Sequence, residues 1–511
     1  MLDPLGQSRP HAVVIGAGFG GLAAAVRLLA RGYGVTVAER LDAPGGRAYV
    51  YRQDGFTFDA GPTIITAPYL LEELWALFGR RMADDVDLRP IDPFYRIRFD
   101  DGTVFDACWR PEAMRAEVAR LAPDDLAGFD RFLRDSAEIY KVAFSELADQ
   151  PFHELGKVIS NAPDMIRLGG YRTLYSKICG YFKSQYLRVA FSFHPLLIGG
   201  NPFTTIAYYC LVGHLERLHG VHYAMGGTGA IVTALVRLIE QQGGVLRLNA
   251  DVTRIEVDNA RGKRGHVTGI TLASGEFLAA DIIVSNADVG WTYTKLLGHH
   301  RRRRWTDAKF AKARFSMGLL VWYFGTNRRF DDVYQHTIVM GPRYRELLAD
   351  IFTRKILADD FSLYLHRPTA NDPSLAPPGC DAFYVLAPVP HLGSGIDWQV
   401  QAEPLRARIQ KRLEDTLMPG LGESIVTTRL LTPQDFRDRL LSLNGAAFSL
   451  EPQLLQSAWF RPHNKSEEVD GLFLVGAGTH PGAGVPGVVS SARILDQLVP
   501  DADRVRKNVL F

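Results

Sequence analysis

Short apolar runs recur at widely separated points of the chain. His11–Ile15 predicts a buried strand, followed by a glycine turn and a helix over Phe19–Ala30. Val35–Glu39 predicts the next strand and closes a compact βαβ unit. Between Leu88 and Ala107 the pattern alternates instead, and Asp101-Gly102 marks a hairpin turn. From Pro111 to Phe144 the period becomes helical, with Leu126, Phe129, Leu133, Tyr140 and Ala143 on one broad face. Helix and strand return over Gly226–Leu248. VTRIEV and HVTGITL then predict paired strands, and AADIIVSNAD a short buried strand ending at Asn286. Mixed segments run to Leu454, before Asp470–Gly484 supplies a last strand and a glycine-rich turn. No internal repeat is visible.

At 511 residues the chain can bury a substantial core and form two domains. A hydrophobic content of 47% and a formal net charge of +2 fit a globular protein and give no electrostatic case for nucleic acid. Cys108, Cys179, Cys210 and Cys380 are too dispersed for a CxxC pair, so they read as structural thiols in a reducing compartment. The start, MLDPLGQSRPHAVVIGAG, lacks the basic region and cleavage pattern of a secretory signal. Cytosolic synthesis without export is the expectation.

The first glycine turn narrows the chemistry. Val13-Val-Ile-Gly16-Ala-Gly18-Phe-Gly20-Gly21 contains the spacing GxGxxG between a strand and a helix. Gly16 permits the tight turn, Gly18 lets the backbone approach a pyrophosphate, and Gly21 permits close helix–strand packing. Free N–H groups at the helix start can receive phosphate oxygens. Glu39, at the end of the second strand, can accept hydrogen bonds from the adenosine ribose; its charge disfavours a 2′-phosphate and hence NADP. The spacing does not separate FAD from NAD. Ala43-Pro-Gly45-Gly46-Arg47 favours FAD, because a second glycine turn carries Arg47 to the pyrophosphate or the flavin's polar edge; a solvated salt bridge is its structural alternative. Asp59-Ala-Gly61-Pro62-Thr63 returns another restrained loop towards the cofactor.

At the other end, Leu472-Phe-Leu-Val-Gly476 reads as strand and turn, and Gly478-Thr-His480-Pro-Gly482-Ala-Gly484-Val-Pro-Gly487 precedes a helix through Leu498. Positions without side chains let the backbone approach a large planar ligand. N–H groups at the helix start can stabilise negative charge gathering on a flavin during reduction.

GAGFGG at Gly16–Gly21 and GLFLVGAGTHPGAGVPGVVSSARI at Gly471–Ile494 together resemble the phytoene desaturase family. APGGRAY at Ala43–Tyr49, DAGPT at Asp59–Thr63 and YAMGGTGAIVTALVRLIEQQGG at Tyr223–Gly244 extend the resemblance over nearly the whole chain. That family is similar in architecture to the flavin amine oxidases. The resemblance implies FAD-dependent introduction of carbon–carbon double bonds into an acyclic carotenoid, typically phytoene towards neurosporene or lycopene. Later-step, shorter-chain and retinoid-related reactions occur among its relatives. It places Gly16, Gly18 and Gly21 in the pyrophosphate turn, Glu39 at the ribose, and Gly46 and Arg47 in the second turn. Gly476, Gly478, Thr479 and Gly484 fall in the flavin site.

The expected fold is α/β: a Rossmann-like FAD-binding domain from discontinuous segments, 10–80, 224–290 and 467–500, with a mixed α+β substrate domain from 85–223 and 291–466. The flavin supplies the redox step, so substrate alignment can outweigh any conventional nucleophile. Oxygen or a quinone would reoxidise the cofactor. An amine oxidase and a non-catalytic FAD-containing interaction protein stay open as other readings.

His480 is a candidate proton acceptor, with positioning or packing as its alternative role. His222 and His480 lack a set of Asp, Glu or His partners, so no metal is expected. The run His299-His300-Arg301-Arg302-Arg303-Arg304-Trp305 reads as anionic-lipid contact or as a solvated charge run. Met165–Leu215 carries Arg167, Arg172, Lys177, Lys183 and Arg188, with interleaved aromatic residues and no Asp or Glu. It predicts peripheral membrane docking, or else a buried tunnel wall; Gly199-Gly200-Asn201-Pro202 argues against a spanning helix.

Overall fold

The computed structural model describes residues 9–504 apart from 154–155, 157–162, 165 and 261–263, so Met165 lies outside the described residues. Five parallel strands form one sheet in the order Leu472–Leu474, Ile282–Ser285, His11–Ile15, Gly34–Ala38, Val245–Arg247. Both faces are covered, which is why the sequence shows unbroken apolar runs here instead of alternation. Ala12, Val14, Ile282, Val284 and Phe473 pack under the helices Phe19–Ala30, Thr228–Gln241 and Val485–Arg493. Their alternates Val13, Ile15, Ile283, Leu472 and Leu474 meet Ile255, Val267 and Ile270 of an antiparallel three-stranded sheet.

A second, mixed sheet has seven strands, with Gly318–Thr326 buried along its full length beside the edge strand Ile425–Leu431. Here too the period is two. Leu320, Trp322 and Phe324 pack on Leu405, Ile409 and Leu413 of the helix Trp398–Thr416. Leu319, Val321 and Tyr323 point the other way, into the interior between the sheets.

The alternating stretch Leu88–Ala107 is divided between two sheets. Tyr95–Arg98 and Val104–Ala107 pair across Asp101-Gly102, whereas Leu88–Ile91 pairs with Val221–Ala224. Pro93 between them has no N–H with which to continue a ladder. In the helix Leu126–Tyr140 the buried stripe is Phe129, Phe132, Ser136, Ile139 and Tyr140. Leu126 and Leu133 sit only at its margin, because the spacing from Phe129 to Phe132 and Ser136 sets the true face.

The segment after residue 165 does not present a basic, aromatic surface as a whole. Phe182, Phe191 and Phe193 are buried with Phe105, Phe129 and Phe132. Arg167 pairs with Glu138 at 2.9 Å and Asp164 at 3.4 Å. Arg172, Lys177 and Arg188 donate to the backbone carbonyls of Ser176, Leu168 and Phe182. Ile166, Arg167, Tyr171, Arg172 and Lys183 remain exposed. Aromatic area is worth more in the core than at a surface, so most of these rings turn inward. Among the described residues, no helix is long and apolar enough to cross a membrane.

Candidate active site

A cavity of about 560 Å³ lies between the two sheets and joins the glycine turns at the two ends of the sequence. At one end, Gly16, Gly18 and Gly20 form its wall, while Gly21 packs behind it. A Cβ on Gly21 would stand 2.0 Å from the carbonyl oxygen of Gly16, and one on Gly20 2.6 Å from Asn286 Oδ1. The helix Phe19–Ala30 begins at Gly18 with no side-chain cap and no acid in its first turn, so its first N–H groups and positive dipole end are left for an anion.

Glu39 is 5% exposed and lines the cavity just beyond this turn. Its Oε2 accepts the N–H of Ala17 at 2.7 Å and its Oε1 that of Leu41 at 3.0 Å. Burial raises its pKa, and the two N–H groups oppose that rise. Gly46 and Arg47 line the next stretch. Arg47 Nε donates to the carbonyl of Ala447 at 2.6 Å and Nη2 to Ser442 Oγ at 3.2 Å. Burial lowers the Arg47 pKa, and the Asp288 charge counters it. Ala60, Gly61, Pro62 and Thr63 continue the wall, while the Asp59 carboxylate turns away to accept the N–H groups of Thr228 and Gly229.

From the C-terminal motif, Gly476 and Gly484 reach the cavity. Gly476 has φ +98°, and a Cβ there would lie 2.7 Å from Asn286 Oδ1. Gly484 begins the helix Val485–Arg493, a second helix start without a side-chain cap that opens on the same space. Gly478 and Thr479 stand elsewhere. A Cβ on Gly478 would meet Val289 Cγ1 at 2.5 Å, and the Thr479 hydroxyl donates to the carbonyl of Pro462 at 2.6 Å. Arg461 and Asn464 draw this loop inward by donating to the carbonyls of Ala477 and His480. His480 does line the cavity, but its Nε2 donates to the Leu147 carbonyl at 3.1 Å. Burial pushes its pKa down to about 4.

Asn286, Asp288 and Trp291 are wall residues to which the sequence reading gave no role. Asp288 Oδ1 accepts the N–H groups of Gly290 and Trp291, while Asp288 Oδ2 and Trp291 Nε1 are buried without a partner. Buried polar atoms left this way need a partner, and because these two residues line the cavity a polar ligand there can supply it. The signal was present: AADIIVSNAD ends beside the first strand, and ligands of open α/β sheets lie at the carboxyl ends of strands. Two uncapped helix starts, a glycine cradle that side chains would fill, a half-buried guanidinium and these free atoms all fit FAD.

Away from the cradle the wall is chiefly apolar, with Leu197, Ile198, Leu319, Val321, Leu386 and Phe448. Residues 194–215 contribute heavily, as a tunnel wall would. Leu454 and Phe460 both line the cavity and face solvent, and Leu455 between them is 71% exposed. The basic run borders this mouth. The Arg304 guanidinium lies 4.6 Å from the ring of Trp459, while Glu468 accepts the backbone N–H groups of Arg303, Arg304 and Trp305.

Residues 19–494 match the sequence profile of the flavin containing amine oxidoreductases. The chain is 52% identical over 502 residues to the phytoene desaturase (neurosporene-forming) of Cereibacter sphaeroides, covering 97% of this chain and 96% of that protein. It is 48% identical over 489 residues to the phytoene desaturase (lycopene-forming) of a Paracoccus species, covering 96% and 97%. An oxidoreductase from Methanosarcina mazei shares the fold, with a TM-score of 0.64 at 18% identity over 95% of this chain and 100% of that one. The chain belongs to the flavin containing amine oxidoreductase family, among its phytoene desaturases.

Proposed function

We propose that the chain is an FAD-dependent carotenoid desaturase that converts phytoene to neurosporene or lycopene by successive dehydrogenations. The observation that carries this reading is one continuous cavity, whose lining passes from a cofactor cradle to a chiefly apolar chamber and an apolar mouth. A long carotenoid exposes about 800 Å² of apolar surface in water, and burying it contributes roughly 20 kcal/mol. Such a substrate needs shape and dryness more than polar contacts.

In this reading Gly16, Gly18 and the start of helix Phe19–Ala30 receive the pyrophosphate, and Glu39 holds the ribose. Gly46, Arg47, Gly476 and Gly484 border the flavin, and Asp288 and Trp291 join them through their free polar atoms. Gly478 and Thr479 support the loop from behind, by the contacts described above. Bound FAD supplies the hydride acceptor. The chain's own part is to orient the hydrocarbon along Leu319, Val321 and Leu386, exclude water, and accept the proton that each step releases. Oxygen or a quinone entering by the same mouth returns the cofactor to its oxidised state.

Peripheral attachment to a membrane fits the mouth better than the earlier basic segment. Leu454, Leu455 and Phe460 would enter the lipid, with Arg301 and Arg303 near the headgroups. The test of the whole reading is to extract the cofactor from purified protein and to supply phytoene in liposomes with an electron acceptor. FAD in the extract and products lighter by successive pairs of hydrogens are expected. An extract without FAD, or phytoene recovered unchanged, would overturn the reading.

A further inference from the structure

The residues lining the cavity include four acids, Glu39, Asp251, Asp288 and Glu216. Glu39 and Asp251 stand at the first glycine turn, and Asp288 stands near Arg47. Glu216 is different. It lies on the helix Leu211–His219, is 2% exposed, and lines both the cavity and a small apolar pocket beside it that Phe105, Phe129 and Phe191 also line. Its Oε1 accepts the hydroxyl of Tyr95 at 2.5 Å, and its Oε2 is 3.3 Å from Nε2 of His194. Tyr95 and His194 belong to the same wall. Burying a carboxylate costs several kcal/mol even when it is paired, and a hydrocarbon offers it no hydrogen bond in return. A group retained at that cost in a cavity wall is a candidate for proton chemistry.

Its rivals are poorly placed. His480 has its Nε2 committed to the Leu147 carbonyl. Asp288 receives two backbone N–H groups on Oδ1 and stands beside Arg47 in the cradle, where its free Oδ2 is given to the cofactor and not to the hydrocarbon. The phenol of Tyr95 is held protonated by burial and by the Glu216 charge.

We propose that Glu216 is the proton acceptor of each dehydrogenation, with Tyr95 and His194 as positioning residues. This rests on the desaturase reading. In each step one C–H bond of the carotene breaks and its hydrogen leaves with the electron pair, as hydride to the oxidised flavin. The neighbouring C–H bond breaks heterolytically; its electron pair becomes the new π bond and its proton joins Glu216. The substrate loses two protons and two electrons, and the carboxylate becomes a carboxylic acid. His194 Nε2 is the nearest nitrogen to which that proton can pass.

The experiment compares full-length, FAD-loaded wild type with Glu216→Gln and Glu216→Asp. Gln keeps the shape and still accepts from Tyr95, so FAD content, and carotenoid binding to the FAD-free protein, should stay within about twofold of wild type. Anaerobic bleaching of the flavin by phytoene should fall by about 100-fold or more, the scale of lost general base catalysis. Glu216→Asp should regain about tenfold over Gln. Difference infrared spectra after one turnover should show a new protonated-carboxyl band in wild type that Glu216→Gln lacks. Bleaching within about threefold of wild type in a Gln variant that binds both molecules would overturn the assignment. So would equal losses of carotenoid binding and bleaching in both variants, the mark of a structural role. Should Glu216→Gln not fold, absence of the infrared band in wild type would overturn it. If wild type itself is not bleached by any acyclic carotenoid, the desaturase reading has failed instead.

Discussion

Glu39→Gln probes the cofactor cradle at its most strongly bonded point. The two carboxylate oxygens accept separate backbone N–H groups, from Ala17 within the glycine turn and from Leu41 beyond the strand. Glutamine has one acceptor oxygen, so its amide N–H must face one of the two donors. The variant loses one charge-assisted hydrogen bond and leaves a buried N–H unpaired, at a cost of about 1.5–3 kcal/mol. At 1.36 kcal/mol per tenfold, that corresponds to roughly 10–150-fold. Those bonds are made with and without FAD, so the loss falls first on apoprotein stability; FAD affinity falls as well, because Ala17 lies between Gly16 and Gly18 and the ribose loses a charged acceptor. Titrating apoprotein with FAD by flavin fluorescence measures it, and thermal unfolding of the apoprotein reports any general damage. Unchanged FAD affinity in a folded variant would refute the role given to Glu39.

Gly21→Ala would set a Cβ 2.0 Å from the Gly16 carbonyl oxygen, so the turn must move at a cost of about 1–3 kcal/mol. FAD content of the purified variant should fall, and full occupancy would refute the tight packing. Burial raises the Asp59 carboxyl from 3.8 to about 6. The folded protein then holds a proton that the unfolded chain has released, so this stability is present below about pH 4 and is lost as pH rises through 6. Roughly 3 kcal/mol of pH dependence should vanish in Asp59→Asn; equal slopes for both proteins in denaturant titrations across that range would contradict it. Replacing Leu454, Leu455 and Phe460 together by Ser should weaken vesicle binding by about 1 kcal/mol or more per residue while FAD is retained. Equal flotation with liposomes would exclude the mouth as the docking surface.

The first βαβ unit was legible because local signals agreed. The apolar run at His11–Ile15, the glycine turn and the helix Phe19–Ala30 appear where the periodicity predicts them. The order of the strands was not readable, since parallel partners such as Ile282–Ser285 and Leu472–Leu474 lie far apart in the chain. The Asp101-Gly102 hairpin was visible, but the departure of Leu88–Ile91 to another sheet depends on Val221–Ala224. Glycines identified the cradle without showing which of them face it. Gly476 and Gly484 do, whereas Gly478 is turned onto Val289 by contacts from Arg461 and Asn464. Aromatic residues beside lysines and arginines looked like a lipid surface, yet Phe182 and Phe191 stack in the core. Glu216 carried no signal, because its meaning comes from Tyr95 and His194, which lie far away in the sequence and touch it only in the fold.

The most direct measurement is anaerobic mixing of FAD-loaded protein with liposome-borne phytoene, following the oxidised flavin and the polyene together. Flavin absorbance should bleach as a longer conjugated carotenoid appears, one new double bond for each FAD reduced, and adding a quinone or oxygen should restart the sequence towards neurosporene or lycopene. A flavin that stays oxidised in the presence of bound phytoene, or bleaching by amines with no change in the carotenoid, would contradict the desaturase reading.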